Sequence, residues 1–137
     1  MNDLSFQALA ILVGTWKISG DATGTVKYSL MEGGYFMTQE VSLEYGGRKI
    51  QGLELIGRSH PVDGPPSTDI HSRFYSTLDG LTLDYVYEVT GTTLRIWFGP
   101  RGSDNFMTSE FSADHNSYSG SWQWPGGGYS FVGTKIS

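Results

Sequence analysis

The chain has 137 residues, nineteen of them glycine, with 14% aromatic residues and a formal net charge of −5. That length suits one domain, residues 1–137, with a real core. The acidic balance and nine scattered Lys and Arg residues leave no basic surface, which excludes nucleic acid and anionic membrane as partners. The absence of cysteine excludes disulfides, zinc–thiolate sites and thiol nucleophiles.

At the start, MNDLSFQ carries an acid and no basic run, and the apolar stretch from Ala8 to Val13 is too short to span a bilayer. A soluble, cytoplasmic protein is the expectation. Ser5–Val13 reads as a short helix, capped by Ser5 or Asp3, with Phe6, Leu9 and Leu12 on one side and Gly14 past its end. So short a helix is marginal alone and must pack on something, as a plug under one end of a barrel.

Strand one spans Thr15–Ser19. After a turn at Gly20–Gly24 come three strands between Val26 and Arg58, joined at Gly33-Gly34 and Gly46-Gly47. Two-residue Gly-Gly loops fix hairpin register because both central residues need positive φ. Register then opposes Leu30 to Met37, Tyr28 to Gln39, Val26 to Val41, Leu43 to Ile50, Gln39 to Glu54 and Tyr35 to Arg58. Opposed residues share a face, and this face is mostly apolar. The other face carries Lys27–Glu40 and Glu44–Lys49, pairs suited to water. The inward face therefore holds an unexpected polar row, Tyr28–Gln39–Glu54, with Arg58 roughly 13 Å further along the strand. An inward carboxylate must be partnered, protonated or near water. A bulge at Gly52 or Gly57 that turns Glu54 outward is the alternative.

The loop from Ser59 to Ser67 holds three prolines and reads as a surface connection, rim or lid. Strands five (Asp69–Leu78) and six (Leu81–Thr90) meet at Asp79-Gly80, which opposes Phe74 to Tyr85 and Ser72 to Tyr87. Strand seven (Thr93–Phe98) sets Ile96 by Tyr87 and Phe98 by Tyr85. Two independently chosen turns thus agree on the apolar face. His71, Glu88, Arg95, Arg73 and Asp84 fall on the polar face as a solvated ion network. Strands eight (Asn105–Ala113), nine (Tyr118–Trp124) and ten (Tyr129–Ile136) follow, with faces unassigned. About ten short antiparallel strands in up-and-down order imply an all-β closed barrel, since closure removes open edges.

Gly14-Thr15-Trp16 opening strand one after a short helix resembles the G-x-W start of lipocalin and calycin barrels. The Trp-Pro-Gly-Gly-Gly-Tyr segment at 124–129 is similar to bacterial calycin-like domains. The resemblance implies that Trp16 closes the barrel floor under a basic residue of the last strand, here Lys135, and that the barrel holds a cavity for an apolar small molecule.

The functional expectation is binding of a small, largely apolar or aromatic molecule. Tyr28, Gln39, Glu54 and Arg58 serve as polar anchors, and Phe74, Tyr85 and Tyr87 as walls. Arg58 beside Tyr35 suggests a ligand with an acidic or carbonyl group. A cofactor-free isomerase or cyclase using Glu54 as general acid or base is the alternative. A lesser one is haem or gas binding, served by His60 or His115 at the rim. His60, His71 and His115 are not spaced as a metal pair, and no G-x-S-x-G elbow occurs. No metal or cofactor is expected, and the sequence leaves a homodimer open.

Overall fold

A computed structural model describes residues 3–137. The chain opens with α1 (Leu4–Gln7), which tightens into a 3₁₀ turn over Ala8–Leu12. Asp3 is the cap, its Oδ1 accepting the Phe6 N–H at 3.1 Å. The predicted helix thus begins one residue earlier and is only half α. Phe6, Leu9 and Leu12 explain the tightening. Residues three apart eclipse in a 3₁₀ turn, so Leu9 and Leu12 point the same way, Phe6 precedes them in α1, and all three are buried.

Ten strands follow: β1 (Gly14–Gly20), β2 (Ala22–Leu30), β3 (Phe36–Tyr45), β4 (Arg48–Gly57), β5 (Ile70–Ser76), β6 (Thr82–Thr90), β7 (Thr93–Phe98), β8 (Phe106–Phe111), β9 (Ser117–Trp124) and β10 (Gly127–Lys135). Each pairs antiparallel with its sequence neighbour, and β1 pairs with β10, closing the barrel. No helix among the described residues is long and apolar enough to cross a membrane.

The β2–β3–β4 register is the expected one: Tyr28 opposes Gln39, and Gln39 opposes Glu54. Pairing runs unbroken from Phe36–Gly57 to Tyr45–Arg48, so no bulge turns Glu54 out. Gly46 and Gly47, at φ of 59° and 77°, make the two-residue turn the sequence predicts. The β2–β3 connection instead closes at Met31 and Phe36, a longer loop in the same register.

The β5–β6 hairpin departs from expectation. Ile70 opposes Tyr87 and Ser72 opposes Tyr85, a slip of two residues from the Asp79-Gly80 turn. The loop is Thr77–Gly80: Ser76 N–H donates to Leu81 O, and Asp79 Oδ1 accepts the Leu81 N–H. A two-residue slip keeps every side chain on its face, so the inward set survives although the pairs change. Strands β6 and β7 pair as expected, with Tyr87 opposite Ile96 and Tyr85 opposite Phe98.

The helical segment covers the end of the barrel where β1 begins. Trp16, fully buried, sits on this floor and donates its indole N–H to Leu12 O at 2.8 Å. Its ring packs on Tyr118 and Phe111, with centroids 4.8 and 5.9 Å away. Lys135, opposite Trp16 on β10, holds its Nζ 5.9 Å from the indole centroid. The Pro-rich loop leaves β4 at this same end, so it is neither lid nor rim to the far mouth. Ser67 N–H donates to Ser59 O, and the Arg58 guanidinium donates to Ser67 O and Thr68 O, which cinches the loop.

The unassigned faces of the last strands resolve simply. Met107, Ser109 and Phe111 point inward from β8, Tyr118 and Trp122 from β9, and Tyr129 and Phe131 from β10. Gly133 on β10 makes room for Tyr118: a Cβ there would lie 2.2 Å from Tyr118 Cζ. On the outer wall Arg73 pairs with Asp84 at 2.7 Å, both more than half exposed. Glu88 pairs with Arg101 rather than with its cross-strand neighbour Arg95, and Arg101 also reaches Asp69 and lies over Trp97.

Candidate functional site

Inside the barrel lies a cavity of about 410 Å³. That is within the range of small-molecule sites. Leu12 lies on its wall toward the floor. Ala22, Leu43, Leu83, Phe98, Asn105, Trp124 and Tyr129 belong to strand ends at the opposite, uncovered mouth. Tyr45 and Tyr129 stack near that mouth with centroids 4.3 Å apart. Deeper in, Tyr85 lies 5.7 Å from Phe98 and 5.8 Å from Trp122.

Glu54 is on this wall and is only 3% exposed. Strict alternation in β4 puts it on the inner face beside Gly52 and Ile56. Its partners are not Gln39 and Tyr28. Ser72 Oγ donates to Oε2 at 2.5 Å and the Tyr87 hydroxyl donates to Oε1 at 2.7 Å. The slip of β5 against β6 leaves Ser72 and Tyr87 offset along the sheet, and this offset lets them grip separate oxygens of one carboxyl.

No charged partner offsets the burial. Glu54 is the one carboxyl on the wall, and no Lys, Arg or His lines it among the described residues. Desolvation raises the Glu54 carboxyl to about 7, with the Ser72 and Tyr87 hydrogen bonds pulling the other way. Burial also pushes the phenols of Tyr28, Tyr87 and Tyr85 up, and the Glu54 charge adds to each. Tyr129, nearer the mouth, is pushed up to about 12 by burial. Glu54 is therefore the wall group that exchanges a proton near neutral pH.

Of the expected site residues, Tyr28, Gln39, Glu54, Phe74, Tyr85 and Tyr87 come together around the cavity. Arg58 and Tyr35 do not, and this corrects the assignment of Arg58 as an anchor and of Tyr35 as a ligand-binding residue beside it. Arg58 lies just past the end of β4, where sheet alternation no longer aims the side chain. Its guanidinium forks onto Asp3, Nε to Oδ2 at 2.7 Å and an η nitrogen to Oδ1 at 3.0 Å. Tyr35 is in the β2–β3 loop and 63% exposed. Both border a separate depression on the outside of the floor.

His60 also borders that outer depression, and His115 is exposed in the β8–β9 turn, so neither faces the cavity. His71 is exposed on the outer face of β5. No group of three or more His, Asp or Glu among the described residues could hold a metal ion.

Sequence reasoning missed Ser72 as a partner of Glu54, although its place between Ile70 and Phe74 on the inward alternation marked it. It also missed Ser109, whose hydroxyl is buried on the cavity wall with no hydrogen-bond partner among the described residues. Set against known proteins, the chain matches no family model and no curated relative, so the reading of this cavity rests on its own residues.

Proposed function

We propose that the barrel binds a small, largely apolar or aromatic molecule in its cavity, with Glu54 as the polar anchor. The observation that carries this is a carboxyl on the wall of a 410 Å³ lumen, gripped only by neutral hydroxyls. Burying an uncompensated carboxyl costs several kcal/mol, a poor choice for a wall that only packs. Aromatic walls with a few convergent polar groups are the usual make-up of a small-molecule site. The Trp16 floor under Lys135 supports placing the barrel among calycin-like folds, and a cytoplasmic binding role suits its acidic, cysteine-free chain.

Titration with the neutral fluorophore Nile red tests the reading. Saturable binding that weakens in Tyr85→Ala and Trp122→Ala is the expected outcome. Binding that ignores both substitutions, or none at all, removes the cavity as a ligand site.

A second reading, a cofactor-free isomerase or cyclase type of enzyme with Glu54 as general acid or base, draws on one observation. A carboxyl raised to about 7 is half protonated under working conditions. For this reading, Glu54→Gln abolishes turnover of any substrate found while leaving its binding in place. Turnover retained in that variant ends the catalytic assignment.

A further inference from the structure

Removing Arg58 from the cavity reverses the charge preference expected of the ligand. An acidic ligand needs a cation to meet it, and the wall holds none among the described residues. It would meet Glu54 instead, at close range and without water to screen the repulsion. A carboxylate offers about four acceptor positions. Two of those on Glu54 are taken, by Ser72 and Tyr87. What remains open is acceptor capacity, so the complementary group is a donor.

The aromatic lining points the same way. Phe98, Tyr85 and Trp122 pack against one another at a tilt along the wall, and Trp124 and Tyr129 stand at the mouth. Aromatic faces attract a cation or its N–H edges. On β8, four strands round the wall from β4, the unpartnered Ser109 hydroxyl supplies a second polar point that can donate or accept.

Resting on the cavity-binding reading above, we propose that the ligand is a hydrophobic nitrogen base, an arylalkyl amine or basic heterocycle, whose nitrogen engages Glu54 and whose remaining polar atom meets Ser109. The base enters uncharged and takes the carboxyl proton of Glu54, which leaves a protonated nitrogen donating to the carboxylate, so no net charge is carried inward. Such entry avoids the desolvation that a preformed ion would suffer.

The test is displacement of Nile red from the full chain by three probes of one shape: tryptamine, 3-ethylindole and indole-3-propionate. Tryptamine is expected to compete about tenfold better than 3-ethylindole, and indole-3-propionate worst of the three. In Glu54→Gln tryptamine competes no better than 3-ethylindole. Ser109→Ala leaves this ranking intact and weakens tryptamine carrying a 5-hydroxyl more than tryptamine itself. A propionate that competes as well as the amine, or an amine advantage that survives Glu54→Gln, overturns the proposal. The wild-type ranking decides even where a variant does not fold. If Nile red and 3-ethylindole bind and the amine is not preferred, only the base-selective inference fails. If neither binds, the cavity reading fails with it.

Discussion

The buried carboxyl has a consequence for stability that needs no ligand. Replace Glu54 by Gln and compare urea unfolding of the two proteins from about pH 4 to 8. In the folded chain the Glu54 carboxyl titrates near 7, against 4.5 when free. Below the lower value both states hold the proton, and the group's full contribution to stability is present. Between the two values the unfolded chain ionises while the folded chain keeps its proton, so folding loses about 1.4 kcal/mol for each pH unit climbed. Above about 7 both are ionised and the loss levels off at about 3 kcal/mol. Gln keeps the shape and one acceptor, and the Ser72 and Tyr87 hydroxyls can rotate to suit its amide, so its offset is about 1 kcal/mol and does not vary with pH. All other titrating groups are common to both proteins and cancel in the difference. The variant therefore gains about 3 kcal/mol on wild type as the pH rises across that window. A difference that stays flat with pH means that Glu54 titrates as in open water, and the buried, uncompensated carboxyl is wrong.

Three other substitutions probe separate parts of the argument. Arg58→Ala removes the fork onto Asp3 and two loop carbonyls and should cost about 1–3 kcal/mol in urea unfolding, with faster amide exchange in Ser59–Ser67 and α1. It should leave Nile red affinity unchanged; a lost affinity would return Arg58 to the site. The Arg58 hydrogen bond holds the Asp3 carboxyl below its ordinary 3.8, so this contribution is present at neutral pH and fades as the pH drops through the lowered value. Gly133→Ala drives a methyl into the Tyr118 ring and should cost about 1–3 kcal/mol, read as a lower melting temperature; an unchanged melting temperature refutes the close approach. Trp16→Phe keeps an aromatic ring but deletes the hydrogen bond to Leu12 O and leaves a void on the floor, for about 2 kcal/mol or more.

How much of this was legible beforehand depended on parity. Alternation in β3 and β4 has period two, and Gly46-Gly47 fixes their register, so the Tyr28–Gln39–Glu54 row could be read residue by residue. The β5–β6 register could not. Asp79-Gly80 is a strong two-residue turn signal, yet the carboxyl of Asp79 caps a longer loop, and nothing local distinguishes the two. The error cost the pairing and not the face, which is why Phe74, Tyr85 and Tyr87 still reach the cavity. In β8 to β10, serines and glycines occupy both faces and blur the alternation, so Ser109 and Trp122 were beyond reach. Contacts between Glu54, Ser72 and Tyr87 depend on the shear of a closed sheet, and that stagger is a property of all ten strands together.

Arg58 shows where pattern reasoning ends, and its fate decides the character of the lumen. By parity it belongs on the face of Glu54, about 13 Å further along the strand. The helix before β1 needed a cap, Asp3 supplied it, and the same carboxylate then offered Arg58 a bidentate partner outside the floor. A fork on a carboxylate with two more carbonyls in reach fills more of the guanidinium's donors than Glu54 alone could. The N-terminal cap thereby withdraws the cation from the interior, and Glu54 is left among phenols and hydroxyls with an upward-shifted carboxyl. Asp3→Ala is thus a direct check: it removes the fork and leaves Arg58 only the Ser67 and Thr68 carbonyls, so amide exchange in α1 and in Ser59–Ser67 is expected to rise, and exchange unchanged in both segments would mean that the cap does not hold Arg58 at the floor.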